Sequence, residues 1–577
     1  MSLNSILLTA GVALQNTQYQ IAVATENVSN ASQTGATQKT WENTSPASDS
    51  VALSQGQVIR AANAYLSKTV NSAAATSGAS SAISSSLQNY DSALGSVVNG
   101  DDVSSLLTTF QTALSTLASA PSSASDKSAV VTAASNLASG ISGLSDSIQT
   151  LRTQASADIG TTVTAINSDL KTLQSLNSQI AAASSTGADT SRLLDQRDTT
   201  LADLSSKMGV QSYVNSSGQL MVYDQGGDQL LGDQAATLTY ANIGQLSAST
   251  GYPGQISGIM VGGQDITSSV TTGALGGLIQ LRDSILPAQQ DQLDQLATSL
   301  ISTANAATNA GSASPPPSSL TSDSAVSASD SFSANGTVRI AVTSSSGAVV
   351  SSTDLDLSSY ATVSDLLTGL NSISGISASI NSSGQLTIQT TSSSNGVAIN
   401  GMTSSVGSSG QSFSDYFGFN DLFTGDSGAT IGVSKTLSDD PSDLPTGTLN
   451  NAASLAAGAS GVTTSDASAI TALGTALTTA QSVAADGTAT ARTSSLTDLA
   501  TNFVANAASV ISAASNASDN DSSVLSAAQN ALSNATGIDV DQQTALLTQY
   551  QNQYEATAQL MSSAKAMYAT LITMMQA

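Results

Sequence analysis

Between Gly537 and Met575 the chain reads GIDVDQQTALLTQYQNQYEATAQLMSSAKAMYATLITMM. Leu547, Tyr550, Tyr554, Thr557, Met561, Ala564, Tyr568, Leu571 and Met575 fall at spacings that alternate three and four. That is the a/d stripe of a heptad helix. The N-terminal segment repeats the pattern with Leu3, Leu7, Ala10, Leu14, Thr17, Ile21, Ala24 and Val28. Isolated helices of this length are marginal in water, so each stripe requires a cover. The other terminus could supply it, as could the same segments of neighbouring copies. The first alone describes an ordinary helical domain whose ends meet, whereas two seams at the extreme ends favour a polymer.

Composition sharpens the contrast between the ends and the rest. Of 577 residues, 40% are hydrophobic, much of that Ala, and only 3% are aromatic. Helices packed through small residues fit this better than thick cores, and the length points to roughly two to four domains. Fourteen basic against 40 acidic residues leave a formal charge of −26, which argues against a nucleic-acid partner. Cys and His are absent, removing disulfides, thiolate and imidazole ligands, and the usual neutral-pH general base. The opening MSLNSILLTA lacks the charged and apolar regions of a secretory signal, and no stretch is long enough for membrane insertion. An extracellular destination would need export without a cleaved signal peptide.

Inward from the ends, Ile159, Val163, Ile166, Leu170, Leu173, Leu176 and Ile180 form another helical stripe. Leu278, Leu281, Ile285, Leu293, Leu296 and Leu300 form a fourth, and Leu496, Leu499 and Phe503 mark a helix returning toward the C-terminus. Two regions switch to short alternating runs with Gly-containing turns. In the first, Tyr213 and Val214 lead through NSSG into Leu220, Val222 and Tyr223. The second follows Pro315, Pro316 and Pro317, read as a linker. It contains Val338, Ile340 and Val342, an SSSG turn, a capping box from Thr362 and Asp365, and a strand pair at Ile380 and Leu386. NSSGQL occurs at 215–220 and 381–386, read as repeated turn chemistry.

The expected fold is therefore α+β and multidomain: a coiled-coil-like helical stalk formed by both termini, with mainly β domains inserted in the middle. The boundaries are 1–55 with 530–577 for a terminal helical axial domain, and 56–205 with 273–312 and 445–529 for a helical rod. A small β-rich domain occupies 206–272, and an inserted β-rich variable domain with some helix occupies 320–432.

Four stretches carry a family resemblance. NVSNASQTG at 27–35, with Asn27, Asn30 and Gly35, resembles the N-terminal signature of flagellar rod, hook and hook-associated axial proteins; Ala36 follows where that family has Tyr. The 537–575 stretch resembles their closing helix, with Gln542 and Gln543 in place of a common acidic pair. LLDQRDTTLADLSSKMGV at 193–210 and GALGGLIQLRDSILPAQQDQLDQLATSLISTANAA at 273–307 resemble the hook-associated protein 1 family. The resemblance implies a structural subunit at the junction of hook and filament. It implies a homo-oligomeric ring, contacts with the hook protein and with a second junction protein toward the filament, a flagellar export chaperone, and type III export to an extracellular site. The subunit interface is expected along Leu3, Leu7, Leu14, Ile21, Val28, Leu547, Tyr550, Tyr554, Met561, Tyr568, Leu571 and Met575. Another flagellar axial or filament-type subunit is the alternative.

Catalytic readings are weak. S-x-x-K occurs at Ser168 to Lys171 and Ser562 to Lys565, about the number that chance gives for seven lysines in a Ser-rich chain. The pairs Asp101–Asp102 and Asp439–Asp440 could bind Ca²⁺ but read as solvated turns, and no phosphate loop or EF-hand is present. No enzyme activity, cofactor or metal is expected. Phe413, Tyr416, Phe417, Phe419 and Phe423 crowd five of the scarce rings into the insert, either as its core or as a surface- or glycan-binding adhesin face.

Overall fold

The computed structural model describes residues 3–43 and 56–576. Among the described residues thirteen α-helices carry the frame: α1 (Leu3–Asn30), α2 (Ala64–Leu94), α3 (Val103–Ser119), α4 (Ala124–Ser185), α5 (Ser191–Lys207), α6 (Gly273–Gln280), α7 (Leu286–Asn309), α8 (Val363–Asn371), α9 (Phe413–Phe417), α10 (Lys435–Asp439), α11 (Ser468–Thr478), α12 (Leu496–Thr536) and α13 (Val540–Gln576). As far as the end of the second sheet region, the strands in chain order are β1 (Lys39–Asn43), β2 (Gly56–Arg60), β3 (Val210–Val214), β4 (Leu220–Asp224), β5 (Gln229–Leu231), β6 (Leu238–Thr239), β7 (Met260–Val261), β8 (Gln264–Asp265), β9 (Ser319–Ala325), β10 (Ala334–Asn335), β11 (Thr337–Ser344), β12 (Val349–Asp356), β13 (Ile376–Ile380), β14 (Gln385–Thr390) and β15 (Asn395–Asn400). The α+β character expected from the sequence is what the chain shows.

The backbone of the rod is α4, 62 residues and therefore about 93 Å long. Its start is fixed by the Ser123 hydroxyl, which accepts from the Asp126 amide. Every residue of the 159–180 stripe is buried along it. The core it anchors runs continuously through α2, α3, α5, α6, α7, α11 and α12 and takes in the small β region. Helices pack closely where side chains are small: a Cβ on Gly277 of α6 would collide with the Ala79 carbonyl of α2.

The fourth stripe is not one uninterrupted helix. Leu281–Ile285 widens into a π turn, with the Leu286 amide donating to the Leu281 carbonyl. Pro287 explains the break, because it lacks an N–H and crowds the preceding turn. The turn presents Arg282 inward, paired with Asp283 at 2.6 Å and donating to the Tyr240 hydroxyl at 2.8 Å. Arg152 of α4 donates to the Arg282 carbonyl and to those of Ser247 and Thr250. Two buried guanidiniums, each hydrogen-bonded through all three nitrogens, thus hold the 240–250 loop onto the rod.

Both NSSG stretches close β-hairpins, as their turn chemistry predicts. Val214 pairs with Leu220 and Ile380 with Leu386. The repeated hexapeptide is one turn built twice: Asn215 accepts from the amides of Ser217 and Gln219, as Asn381 does from Ser383 and Gln385. Thr362 and Asp365 close a capping box on α8. In the insert, β12-β11-β15 and β13-β14-β9 form two three-stranded antiparallel sheets, and α8 and α9 share their core.

The connections to the insert differ from a free linker. The Pro317 carbonyl accepts from Val397, and Lys127 donates to the Ser314 carbonyl, so the Pro-rich stretch runs packed beside β15. Proline fixes an extended backbone but leaves its carbonyl free, which suits a sheet edge as well as a spacer. On the return path the buried side chains of Asn305 and Asn309, one turn apart on α7, bracket residues 420–423. Asn305 holds the backbone of Leu422 and Phe423, and Asn309 accepts from the Asn420 amide and donates to Asp421 at 2.5 Å. Residues Leu449, Leu455 and Val462, within the stretch expected to belong to the rod, pack on Ala341, Val349 and Ala398 of the insert.

Candidate functional site: the terminal helix pair and its joint to the rod

The terminal helices run antiparallel against one another. Asn27 meets Gln543, Gln18 meets Tyr554 and Gly11 faces Met561, which fixes the register. Ala10, Thr17 and Ala24 are buried on α1, and Leu7, Leu14 and Ile21 are half-buried. Val28 is on the exposed side, whereas Val23 and Asn27, on the neighbouring face, are buried. At this end of α1 the chain folds back toward β1, and Asn27 turns to the Lys39 backbone and to Gln543. Leu3 lies in the first turn of α1, and its side chain is outside the described ones. On α13, Leu547, Tyr550, Tyr554 and Met561 are half-buried and Ala564 is buried.

Beyond Ala564 the seam opens. Tyr568, Leu571 and Met575 are 48%, 51% and 84% exposed. The register uses up the described part of α1, 28 residues, before the 37 residues of α13 end. A second apolar row, Leu560, Met567 and Met574 at seven-residue spacing, is exposed beside it. Sequence reading missed this row, although its heptad spacing is visible in hindsight. The overhang is thus apolar on a wide face.

At the other end of the pair lies a joint. Asn27 is buried, donates to the Lys39 carbonyl at 2.8 Å and to Gln543 Oε1 at 2.9 Å, and accepts from the Lys39 amide. It ties the exit of α1 to the first turn of α13 in one residue. Asn30 accepts from the Gln33 amide, and Gly35 follows at φ +79°. A side chain at 35 would combine that left-handed backbone with a collision against Thr199 of α5. The Gln38 amide donates to the Thr536 carbonyl, the last of α12, and Trp41 of β1 stacks on Tyr19 at 4.4 Å.

Charges lock this joint to α5. Asp195 receives Arg60 at 3.1 Å, the Thr37 hydroxyl at 2.7 Å and the Lys39 ammonium at 3.6 Å. Lys39 also reaches Glu26 at 3.2 Å, and Arg60 reaches Asp198 at 2.6 Å. Asp195 and Lys39 are buried, so these pairs sit in lower dielectric than surface pairs and gain accordingly from mutual satisfaction. Arg197, between the two aspartates, points the other way to the Gly218 carbonyl, with burial lowering its pKa. The LLDQRD motif therefore holds the terminal pair with its aspartates and the β3–β4 hairpin with its arginine. The sequence alone assigns no role to these charges. The available signal was their density in a chain only 9% charged.

The weaker candidates resolve into structure. Ser168, Lys171, Ser562 and Lys565 are all exposed on helix surfaces. Asp102 caps α3 through the amides of Ser104 and Ser105, and Asp440 caps a short turn through Ser442. Asp101 accepts from the Ser96 amide, and Asp439 pairs with Lys435. Among the described residues no cluster of three acidic side chains could hold a metal ion. Phe413, Tyr416, Phe417 and Phe419 pack on one another and on Phe332 inside the insert, while Phe423 packs against Phe110 in the rod core. No helix among the described residues is long and apolar enough to cross a membrane.

Residues 87–314 match the family model described as the flagellar hook-associated protein FlgK helical domain. Flagellar hook-associated protein 1 of Escherichia coli (strain K12) is 29% identical over 160 residues; that alignment covers 27% of this chain and 29% of the relative. The structure of the flagellar hook junction protein FlgK from Burkholderia pseudomallei superimposes with a TM-score of 0.47 at 19% identity, covering 80% of this chain and 98% of that one. The matched stretch begins within α2 and ends just beyond α7, so the likeness to the hook-associated helical domain falls on the rod.

Proposed function

We propose that the chain is a structural subunit of the bacterial flagellum that joins hook to filament, assembling through its terminal helices. The observation that carries this is the overhang of α13. A chain that encloses most of its large rings and aliphatic side chains leaves Tyr568, Leu571, Ile572, Met574 and Met575 clustered in water at one helix end, next to a seam already half built. A seam of that kind is completed by the same helices of a neighbouring copy, in a heterologous contact that repeats around a ring. The match of the rod to the hook-associated helical domain supports placing this ring between hook protein and a second junction protein. Delivery follows the resemblance: type III export without a cleaved signal, with a chaperone holding the terminal helices before assembly. The insert's rings face its own core, so no adhesive role is assigned to them. Electron microscopy of a deletion strain tests the proposal. Hooks without filaments, and filament subunits shed into the medium, are expected. Normal filaments in that strain would overturn it.

A further inference from the structure

Half of the eight described methionines, Met561, Met567, Met574 and Met575, lie on α13. Their surroundings separate them sharply. Met208 is fully buried in the rod, and Met561 faces Gly11 on α1. Met567, Met574 and Met575 are 57%, 73% and 84% exposed, the last two standing beside Leu571 on the open face. Met402, in the insert, is 37% exposed and remote from any seam. With Cys absent, the thioethers are the softest nucleophiles of the chain.

We propose that Met567, Met574 and Met575 form an oxidation site that switches the assembly seam. The inference rests on the seam reading of α13 given above. A peroxide is the co-reactant. The thioether sulfur attacks one peroxide oxygen, the O–O bond breaks, and the departing oxygen takes up the proton and leaves as water or an alcohol. Sulfur loses two electrons and carries a new S–O bond. The product is polar and chiral, and it replaces an apolar, flexible group on a face that must be dehydrated to close. An unassembled subunit is open to this reaction, whereas one already in the ring shields the same sulfurs. Assembly would thus select subunits that have not been oxidised, and sulfoxide reductases can reverse the change.

The test uses the full chain and hydrogen peroxide. Limited oxidation followed by peptide mapping should find sulfoxide first at Met575, Met574 and Met567, later at Met221 and Met260, and last at Met208. Binding to hooks isolated from the deletion strain should weaken about tenfold or more after oxidation, as expected when unpaired polar groups enter an apolar contact. Treatment with methionine sulfoxide reductases should restore it. In the M567L/M574L/M575L chain, compared with itself before and after peroxide, binding should change little. Oxidation spread evenly over all methionines, or an oxidised chain that binds like the untreated one, would overturn the switch alone. An untreated chain that fails to bind hooks would overturn the seam, and the switch with it.

Discussion

The insert and the far end of α13 deal with apolar side chains in opposite ways. The insert has Phe332, Phe413, Phe417 and Phe419 and encloses them between two small sheets and two short helices. The end of α13 has Leu571, Ile572, Met574 and Met575 and encloses none of them. Both are rich in large side chains by the standard of this Ala- and Ser-rich chain. What separates them is topology. A sheet and a helix in one segment fold back on each other and cover their own apolar faces, whereas a single helix can cover only the stripe its partner reaches. A region that closes on itself acts as a module, and one that does not requires something else to close it.

Four substitutions would break or sharpen this comparison. The largest effect is expected in the insert. Phe417→Ala empties the centre of the ring cluster and should cost about 3–5 kcal/mol, removing the insert's share of the calorimetric unfolding while the terminal helices keep their signal. Simultaneous loss of both signals would show that the two regions are not independent. Next comes the joint. Asp195→Ala leaves Lys39 and Arg60 without their shared carboxylate and should cost about 3 kcal/mol. Amide exchange should quicken in α1 and α13 before it does in the rod. Equal protection in the variant and the parent would mean that the joint does not hold the pair.

The third change concerns pH at the root of the insert. Burial, reinforced by the nearby Asp323 and Asp415 carboxylates and opposed by the Asn309 hydrogen bond, pushes Asp421 up to about 7. The folded state then binds the proton more tightly than the unfolded chain, so this group favours folding at low pH. That contribution declines as pH rises from near 4 to near 7. Asp421→Asn should therefore raise the melting temperature of the insert at pH 8 and leave it little changed at pH 4. A stabilisation equal at both pH values would remove the titration argument. The smallest effect on stability, within about 0.5 kcal/mol, is expected for Leu571→Asp, because the site is already half in water. The same change should abolish filament retention on hooks, provided that secretion of the variant is first confirmed. Wild-type motility would end the seam model.

Local patterns were legible because their causes are local. The alternation at Val338, Ile340 and Val342, the NSSG turns and the Thr362 capping box each depend on residues a few positions apart, and the two hairpins close across those turns. The π turn before Pro287 is not visible in the Leu278–Leu300 stripe, since apolar spacing alone does not register a missing N–H. At the candidate site the stripes were readable, but their division into covered and open halves was not.

By itself the sequence determined that the ends are helices with apolar stripes, that the middle alternates helical and β segments, and that His and Cys chemistry is absent. Periodicity and composition suffice for those statements. The tertiary structure decided that Asp195 meets Arg60 and Lys39, that Asn27 binds Gln543, and that the two stripes part company after Ala564. These depend on residues between roughly 130 and 520 positions apart in the chain, whose approach is set by packing of the whole rod and by the register of one helix on another. No local pattern encodes that register, because a helix slid by one heptad presents the same stripe.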